Sequence, residues 1–264
     1  MQQKVDHAEK REAQTTKWTT TEWQARVDLA AAHRLAVMHG LHEGIFNHLT
    51  FSVPGKSDRY YQIPFGLHWS EVTASCFMEI GWDGQLLAGE GEIERSCYAI
   101  HSPIHRKLPG HANAVFHTHM PFASALTRLK DPKIKPIGQT EVIMMRKTGY
   151  DMDYMGPAFD PEEGERLADI IGDKKVLFMG NHGVATVAPS IAEAYDLLYY
   201  TERAAQVQLY AMWTGEPLLP MTDAVLHKTM NLGAGQPFKH GKGYDYHFAA
   251  LKRILDRKEP DYKS

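Results

Sequence analysis

Two histidines stand one residue apart at the end of an apolar run, VFHTHMP at 115 to 121. In a β-strand, side chains two apart share a face. His117 and His119 would therefore present their imidazoles side by side, with Thr118 pointing away. Such a pair is half of a metal site, or else two edge histidines facing solvent, or core imidazoles satisfied by backbone carbonyls. A third histidine, His182, interrupts the apolar run KVLFMGNHGVATVA, where Asn-His-Gly otherwise signals a turn. One reading is a hairpin turn with an accidental histidine. The other is two strands that each deliver imidazoles at an irregular point, as a three-histidine centre with an open position for water or substrate requires.

Other residues have competing uses. His101 and His105 lie four apart on a predicted helix and could face one target, although an interhelical or solvent contact is the commoner role. Tyr98 is either a proton donor or a buried ring, and Glu141 in GQTEVIMM either a carboxylate base or a surface group. NLGAGQ (231 to 236) contains GxG without a preceding strand or a following helix, which argues against a nucleotide loop. The segment KHGKGYDYHF (239 to 248), with His240, Tyr244 and His247, would suit a C-terminal lid over an active site, its own or a neighbour's, or plain packing.

These residues need elements to hold them. Thr21-Glu22-Trp23-Gln24 has capping-box spacing and opens a helix that stops at Gly40. Strand-like runs follow at 49–53 and 60–63, and Asp83-Gly84 between apolar flanks reads as a hairpin turn. A helix through Cys97 to Lys107 precedes a strand over 112–119, and Pro121 then starts another helix. Asp160-Pro161 opens a helix to 171, ended by Gly172. Ser190-Ile191-Ala192-Glu193 opens the longest helix, which runs to about Trp213. Such alternation predicts an α/β or α+β domain with one central sheet. Residues 1–18 lack periodicity and read as a flexible arm, residues 19–264 as a single domain with a C-terminal extension from about 216.

Composition narrows the partners. With 29 basic and 32 acidic residues, a net charge of −3 gives no field suited to nucleic acid or an anionic membrane, so a small molecule is the default partner. Cys76 and Cys97 are too few for a disulfide scaffold, which fits a reducing, cytoplasmic setting. The polar, mixed-charge N-terminus is unlike a signal peptide.

AVFHTHMPFASAL (114–126), LFMGNHGVATV (177–187) and FNHLTFSVPG (46–55), in this order and context, resemble the class II aldolase/adducin-like family over about residues 24–212. The resemblance implies a three-layer αβα sandwich around a mostly antiparallel sheet. It also implies one divalent metal ion per subunit at a sheet edge, zinc first with manganese or iron as alternatives, and a homotetramer. By the same resemblance His117, His119 and His182 are the ligands, as their spacing suggests. Sugar-phosphate aldolases of the family carry a glutamate about nineteen residues before the first histidine of the pair. That offset falls on Tyr98, with Glu92 and Glu94 out of phase, as in the adducin-like bacterial branch. Asn47 and Thr50 remain, but Phe46 and Phe65 stand where glycine and serine would help to cradle phosphate.

The expectation is a metal-dependent, aldolase-like lyase that cleaves or decarboxylates a small unphosphorylated keto or hydroxy acid. Tyr98 and Glu141 are its candidate catalytic residues, and Asn47, Phe65 and Tyr244 its candidate substrate contacts. The alternatives are a three-histidine Fe(II) oxygenase and a non-catalytic adducin-like binding module.

Overall fold

The computed structural model describes residues 17–153, 155–156, 159–230 and 241–264. Helix α1 (Thr20–Met38) is capped two residues earlier than its sequence suggests. Thr19, not Thr21, accepts from the Glu22 N–H at 3.2 Å, and the Glu22 carboxylate accepts from the Thr19 N–H at 2.7 Å. Strands β1 (His48–Ser52), β2 (Arg59–Gln62), β3 (Met78–Gly81) and β4 (Leu86–Ala88) then form an antiparallel meander, β3 and β4 turning at Asp83-Gly84 as expected. Helix α2 (Arg95–Lys107) leads into β5 (Ala114–Thr118), and Pro121 starts the short helix α3 (Pro121–Thr127). Two elements had no clear sequence signal: α4 (Gln139–Lys147), whose N-cap Gly138 offers no side-chain bond, and β6 (Thr148–Asp151). Helix α5 (Pro161–Ile171), strands β7 (Val176–Met179) and β8 (Val184–Ala188), and helices α6 (Ile191–Trp213), α7 (Asp223–Met230) and α8 (Gly243–Lys258) complete the chain.

The eight strands form one sheet in the order β4-β3-β2-β1-β5-β8-β7-β6, antiparallel throughout except for the β6–β7 pair. Alternation along the strands sorts the core into two layers. Phe116, Phe178 and Val184 pack with Leu29, Leu35, Leu197 and Leu198 of α1 and α6, whereas Val115, Leu177, Ala185 and Val187 pack with Ile100, Ile104, Leu167 and Ile171 of α2 and α5. A sheet buried on both faces makes the three-layer α/β architecture that the sequence suggested.

The layering also assigns sides to the polar residues. His117 lies two residues from Val115 and therefore faces α2. His48 and Thr50 of β1 pair across the ladder with His117 and Val115, so they face α2 as well. The β1 face toward α2 is thus His-Thr-Ser at alternate positions, a polar strip beneath a helix that carries His101 and His105. No helix among the described residues is long and apolar enough to cross a membrane.

Candidate metal centre

Strands β5 and β8 are hydrogen-bonded neighbours, which brings the end of β5 against the turn that joins β7 to β8. In that turn the Met179 N–H donates to the Gly183 carbonyl, and Asn181 takes a left-handed φ of 54°. The turn is clamped from α3: the Asn181 N–H donates to the Thr127 carbonyl, and Arg128 Nη1 donates to the His182 carbonyl at 2.6 Å. As a result His117, His119 and His182 stand in a near-equilateral triangle, with ring centroids 4.9, 4.8 and 4.9 Å apart. One donor atom from each lies within 4.8 Å of the others.

Hydrogen bonds set the orientation of two of these rings. His117 Nδ1 lies 3.1 Å from the Val184 carbonyl, which can only accept, so Nδ1 holds the proton and Nε2 keeps its lone pair. His119 Nδ1 is bonded to the Glu43 carboxylate, which by the same logic leaves Nε2 as a lone-pair donor. That Nε2 is buried and has no hydrogen-bond partner among the described residues. The His119 N–H is held in turn by Asn47 Oδ1 at 3.0 Å, from a backbone position with φ of 79°. Burial, reinforced by the neighbouring imidazoles, lowers the pKa of His117 well below the ordinary histidine value. Burial, with His119, His48 and Arg128 nearby, brings His182 down to about 4. Neutral imidazoles whose second nitrogen is tied to an oxygen are the form that binds divalent metals.

Gly183 supplies a steric reason for the NHG sequence. A Cβ there would lie 2.6 Å from His119 Cδ2, 2.7 Å from the Thr118 carbonyl oxygen and 3.2 Å from His117 Cε1. Only glycine lets the turn close on the two rings. The donor set, the unpartnered Nε2 and this closure together fit one divalent ion.

Of the other expected residues, some approach this centre and some do not. Asn47 and Phe65 line a pocket with His48, Gln62 and Glu94, and the His48 ring lies 5.7 Å from that of His117. The exposed ring of Phe46 stands 6.4 Å from that of Phe65. Tyr98 does not point this way: its ring packs on the β3–β4 turn, 3.0 Å from where a Gly84 Cβ would be. Glu141 is buried in the first turn of α4 and folds back over Gly138.

Tyr244 is placed against Glu193, whose carboxylate is bonded by Lys175 immediately before β7. It therefore lies at the opposite end of β7 from His182. His247 bonds Asp196 of α6 at 2.8 Å, so α8 packs on α6 as a structural helix; His240 and the NLGAGQ stretch lie outside the described residues.

Besides Glu43 on His119, a carboxylate in the pocket is Glu94, which counting by offset had set aside. It caps α2, accepting from the Cys97 N–H and from Ser96 Oγ at 2.9 Å, and pairs with His48 Nε2 at 2.9 Å. Burial would raise its pKa; the bond and charge of His48, with the Cys97 and Ser96 donors, outweigh this and hold it at about 2. The sequence reading also passed over His48 and Glu43. The alternating H-x-T-x-S of β1 was the available signal for His48; an exposed loop glutamate such as Glu43 gave none. Behind His182 a second pocket holds Asp151 and Glu163, both already engaged by Arg166.

Comparison with known proteins agrees with this geometry. The model of the family described as Class II Aldolase and Adducin N-terminal domain matches residues 27–209. A Pseudomonas aeruginosa protein that carries the provisional name aldolase class 2 protein is 33% identical over 93% of this chain and 94% of its own length. Rat alpha-adducin is 30% identical over 88% of this chain, which spans 33% of that protein. A crystal structure of an aldolase II superfamily protein from Pseudomonas syringae superposes with a TM-score of 0.88 at 32% identity, covering 96% of this chain and 100% of the other. An L-fuculose 1-phosphate aldolase from Glaciozyma antarctica shares the fold at 21% identity, with a TM-score of 0.80 over 94% of this chain and 96% of its own.

Proposed function

Because the chain belongs to the class II aldolase and adducin family, we propose that it is a divalent-metal-dependent lyase that cleaves a C–C bond, or removes CO₂, from a small unphosphorylated keto or hydroxy acid. The observation that carries this reading is the triangle of His117, His119 and His182, with lone pairs kept available by Val184 and Glu43. The bound ion, zinc in our reading, would polarise the substrate carbonyl and offset the negative charge that bond cleavage leaves on it.

The protein's own groups would position the substrate. Asn47 has its Oδ1 occupied by the His119 N–H, and its Nδ2, buried and without a partner among the described residues, can donate to a substrate oxygen. Phe65 gives the pocket a flat apolar edge, suited to the body of a small organic acid. Glu94 puts an anion in the pocket wall, and no lysine or arginine among the described residues lines that pocket. A phosphate dianion would meet a fixed negative charge there without the several preorganised donors it needs. A monoanionic acid whose oxygens are taken up at the three-histidine centre meets a smaller penalty. Tyr98 and Glu141 stand apart from the pocket, and Glu94, kept ionised by His48, Ser96 and Cys97, is the side chain we assign to orienting His48 at this wall.

A homotetramer in the cytoplasm is part of the same proposal. Tyr200, Tyr210 and Trp213 of α6 are exposed, Trp213 at 75%, and supply an apolar surface for association; Tyr199 of the same helix is half-buried against His39 and His247.

The deciding experiment is elemental analysis of protein purified without added metal, followed by parallel assays on unphosphorylated keto and hydroxy acids and on fuculose 1-phosphate. Zinc of which one equivalent is lost in His182→Ala, together with metal-dependent turnover of the acids, supports the proposal. Turnover confined to the phosphorylated sugar would overturn the substrate assignment, and oxygen uptake with bound iron would overturn the lyase.

A further inference from the structure

A second group of donor atoms lies beneath α2. His48, Cys97 and His101 each place a ligand atom within 4.8 Å of the other two, with Cys97 and His101 fully buried. Hydrogen bonds around the group fix its protons. His105 Nδ1 lies 2.6 Å from the Ala112 carbonyl, so that nitrogen carries the hydrogen and His105 Nε2 must accept. The only donor Nε2 meets is the Thr50 hydroxyl, 2.8 Å away among the described contacts. The single Thr50 hydrogen is taken up by His105 Nε2 or by the Val115 carbonyl, 3.2 Å away, so in either case the Thr50 oxygen accepts from His101 Nδ1 at 2.7 Å. His101 Nε2 is left with a bare lone pair, wholly buried and without a partner among the described residues. Neutral His48 is in the same condition: its Nε2–H donates to Glu94, and Nδ1 is buried without a partner among the described residues.

Two imidazoles, each anchored through one nitrogen and unsatisfied at the other, beside a thiol at ligand spacing, require a cation or a water that donates to them. We propose that His48, Cys97 and His101 form a second metal site, separate from the three-histidine centre and selective for a zinc-class ion. The ligand types favour that class, since one sulfur and two imidazoles exclude magnesium and calcium. The Glu94–His48 and Thr50–His101 bonds are the oxygen-to-imidazole anchors that metal-bound histidines use. Charge favours it too: a divalent ion with a Cys97 thiolate and the Glu94 carboxylate beside it leaves no net charge in a buried volume. Binding forms a sulfur–metal bond, and the Cys97 thiol proton leaves to solvent. The proposal does not depend on the lyase reading, because none of its ligands belongs to the other triangle.

Cobalt(II) distinguishes the two sites, since only this one contains sulfur. Chelator-stripped full-length protein titrated with cobalt should take up two equivalents and develop a near-ultraviolet thiolate-to-cobalt absorption band. Cys97→Ser should lose the band and one equivalent, while Cys76→Ser keeps both. His182→Ala should keep the band and lose the other equivalent. A wild-type protein that saturates with cobalt without the band overturns the proposal, as does a band that persists in Cys97→Ser. The wild-type titration decides the question even if a variant fails to fold. In that titration a water-filled cluster gives one equivalent and no band.

Discussion

Gly183 and His119 are in contact across the β5–β8 pair, so close that one added methyl group at Gly183 would stand 2.6 Å from the His119 ring. The obstruction includes the Thr118 carbonyl, which is backbone and cannot swing aside. Gly183→Ala should therefore displace His119 or open the β7–β8 turn. The expected result is a protein with unchanged circular dichroism whose zinc affinity falls by roughly 10- to 100-fold, the range seen when groups that orient a ligand are disturbed. Competition with a chromophoric chelator measures this, and wild-type affinity would show that the turn has more room than the geometry allows.

Glu43 and Asn47 hold His119 from two directions, through its ring and its backbone. Glu43→Ala should also lower metal affinity by about 10-fold or more. For Asn47 a pair of variants separates two effects, because its φ of 79° is costly for residues other than glycine and asparagine. Asn47→Gly should lose the hydrogen bond alone, and Asn47→Ala should be less stable than Asn47→Gly by about 1 kcal/mol, measured by urea denaturation.

Acid should destabilise the fold through His33. Burial lowers its pKa to about 4, only partly countered by its bond to the Leu29 carbonyl. Between the unfolded value near 6.5 and about 4, the unfolded chain binds a proton that the native chain does not, so stability falls as pH falls. The contribution is full above the unfolded pKa and shrinks by about 1.4 kcal/mol per pH unit inside the window. Urea midpoints measured at pH 7, 6 and 5 should decline accordingly, and His33→Phe, set between Trp69 and Phe77, should flatten the slope by about one proton. An unchanged slope in that variant would assign the acid sensitivity elsewhere.

Association through α6 is expected to depend on its exposed aromatic end. The tilted rings of Tyr210 and Trp213 lie 5.5 Å apart near the helix terminus, and both are exposed. Replacing both with serine should convert the assembly to smaller species by light scattering at micromolar concentration. A wild-type monomer under those conditions would remove the tetramer from the proposal.

The strands and the histidine triangle were legible because they rest on short-range periodicity. His117 and His119 share a face by the two-residue repeat, and His182 stood out because it broke an apolar run. Glu94 was lost because a fixed offset assumes no change in chain length before β5. The cap of α2, a local geometric feature, is what brings its carboxylate to His48. Tyr244 lies away from the triangle of its own chain for a different reason. Its helix docks on α6, and sequence distance does not say which end of a 23-residue helix will receive it. His101 and His105 were visible as a helical pair, but their common target, Thr50, becomes apparent only once β1 is known to turn its polar side to α2.

That polar side of β1 has a consequence for how the chain avoids misfolding. A one-residue slip of β1 against β5 would rotate His48, Thr50 and Ser52 into the aliphatic layer of α1 and α6. Each would lose its partners there, at about 1–3 kcal/mol for every polar group stranded without a hydrogen bond. Leu49 and Phe51 would at the same time be forced against the imidazoles of α2. The row of residues that builds the candidate sites thus also acts as a key for strand pairing: a chain that mates β1 incorrectly is penalised at every second residue, before any ligand is present.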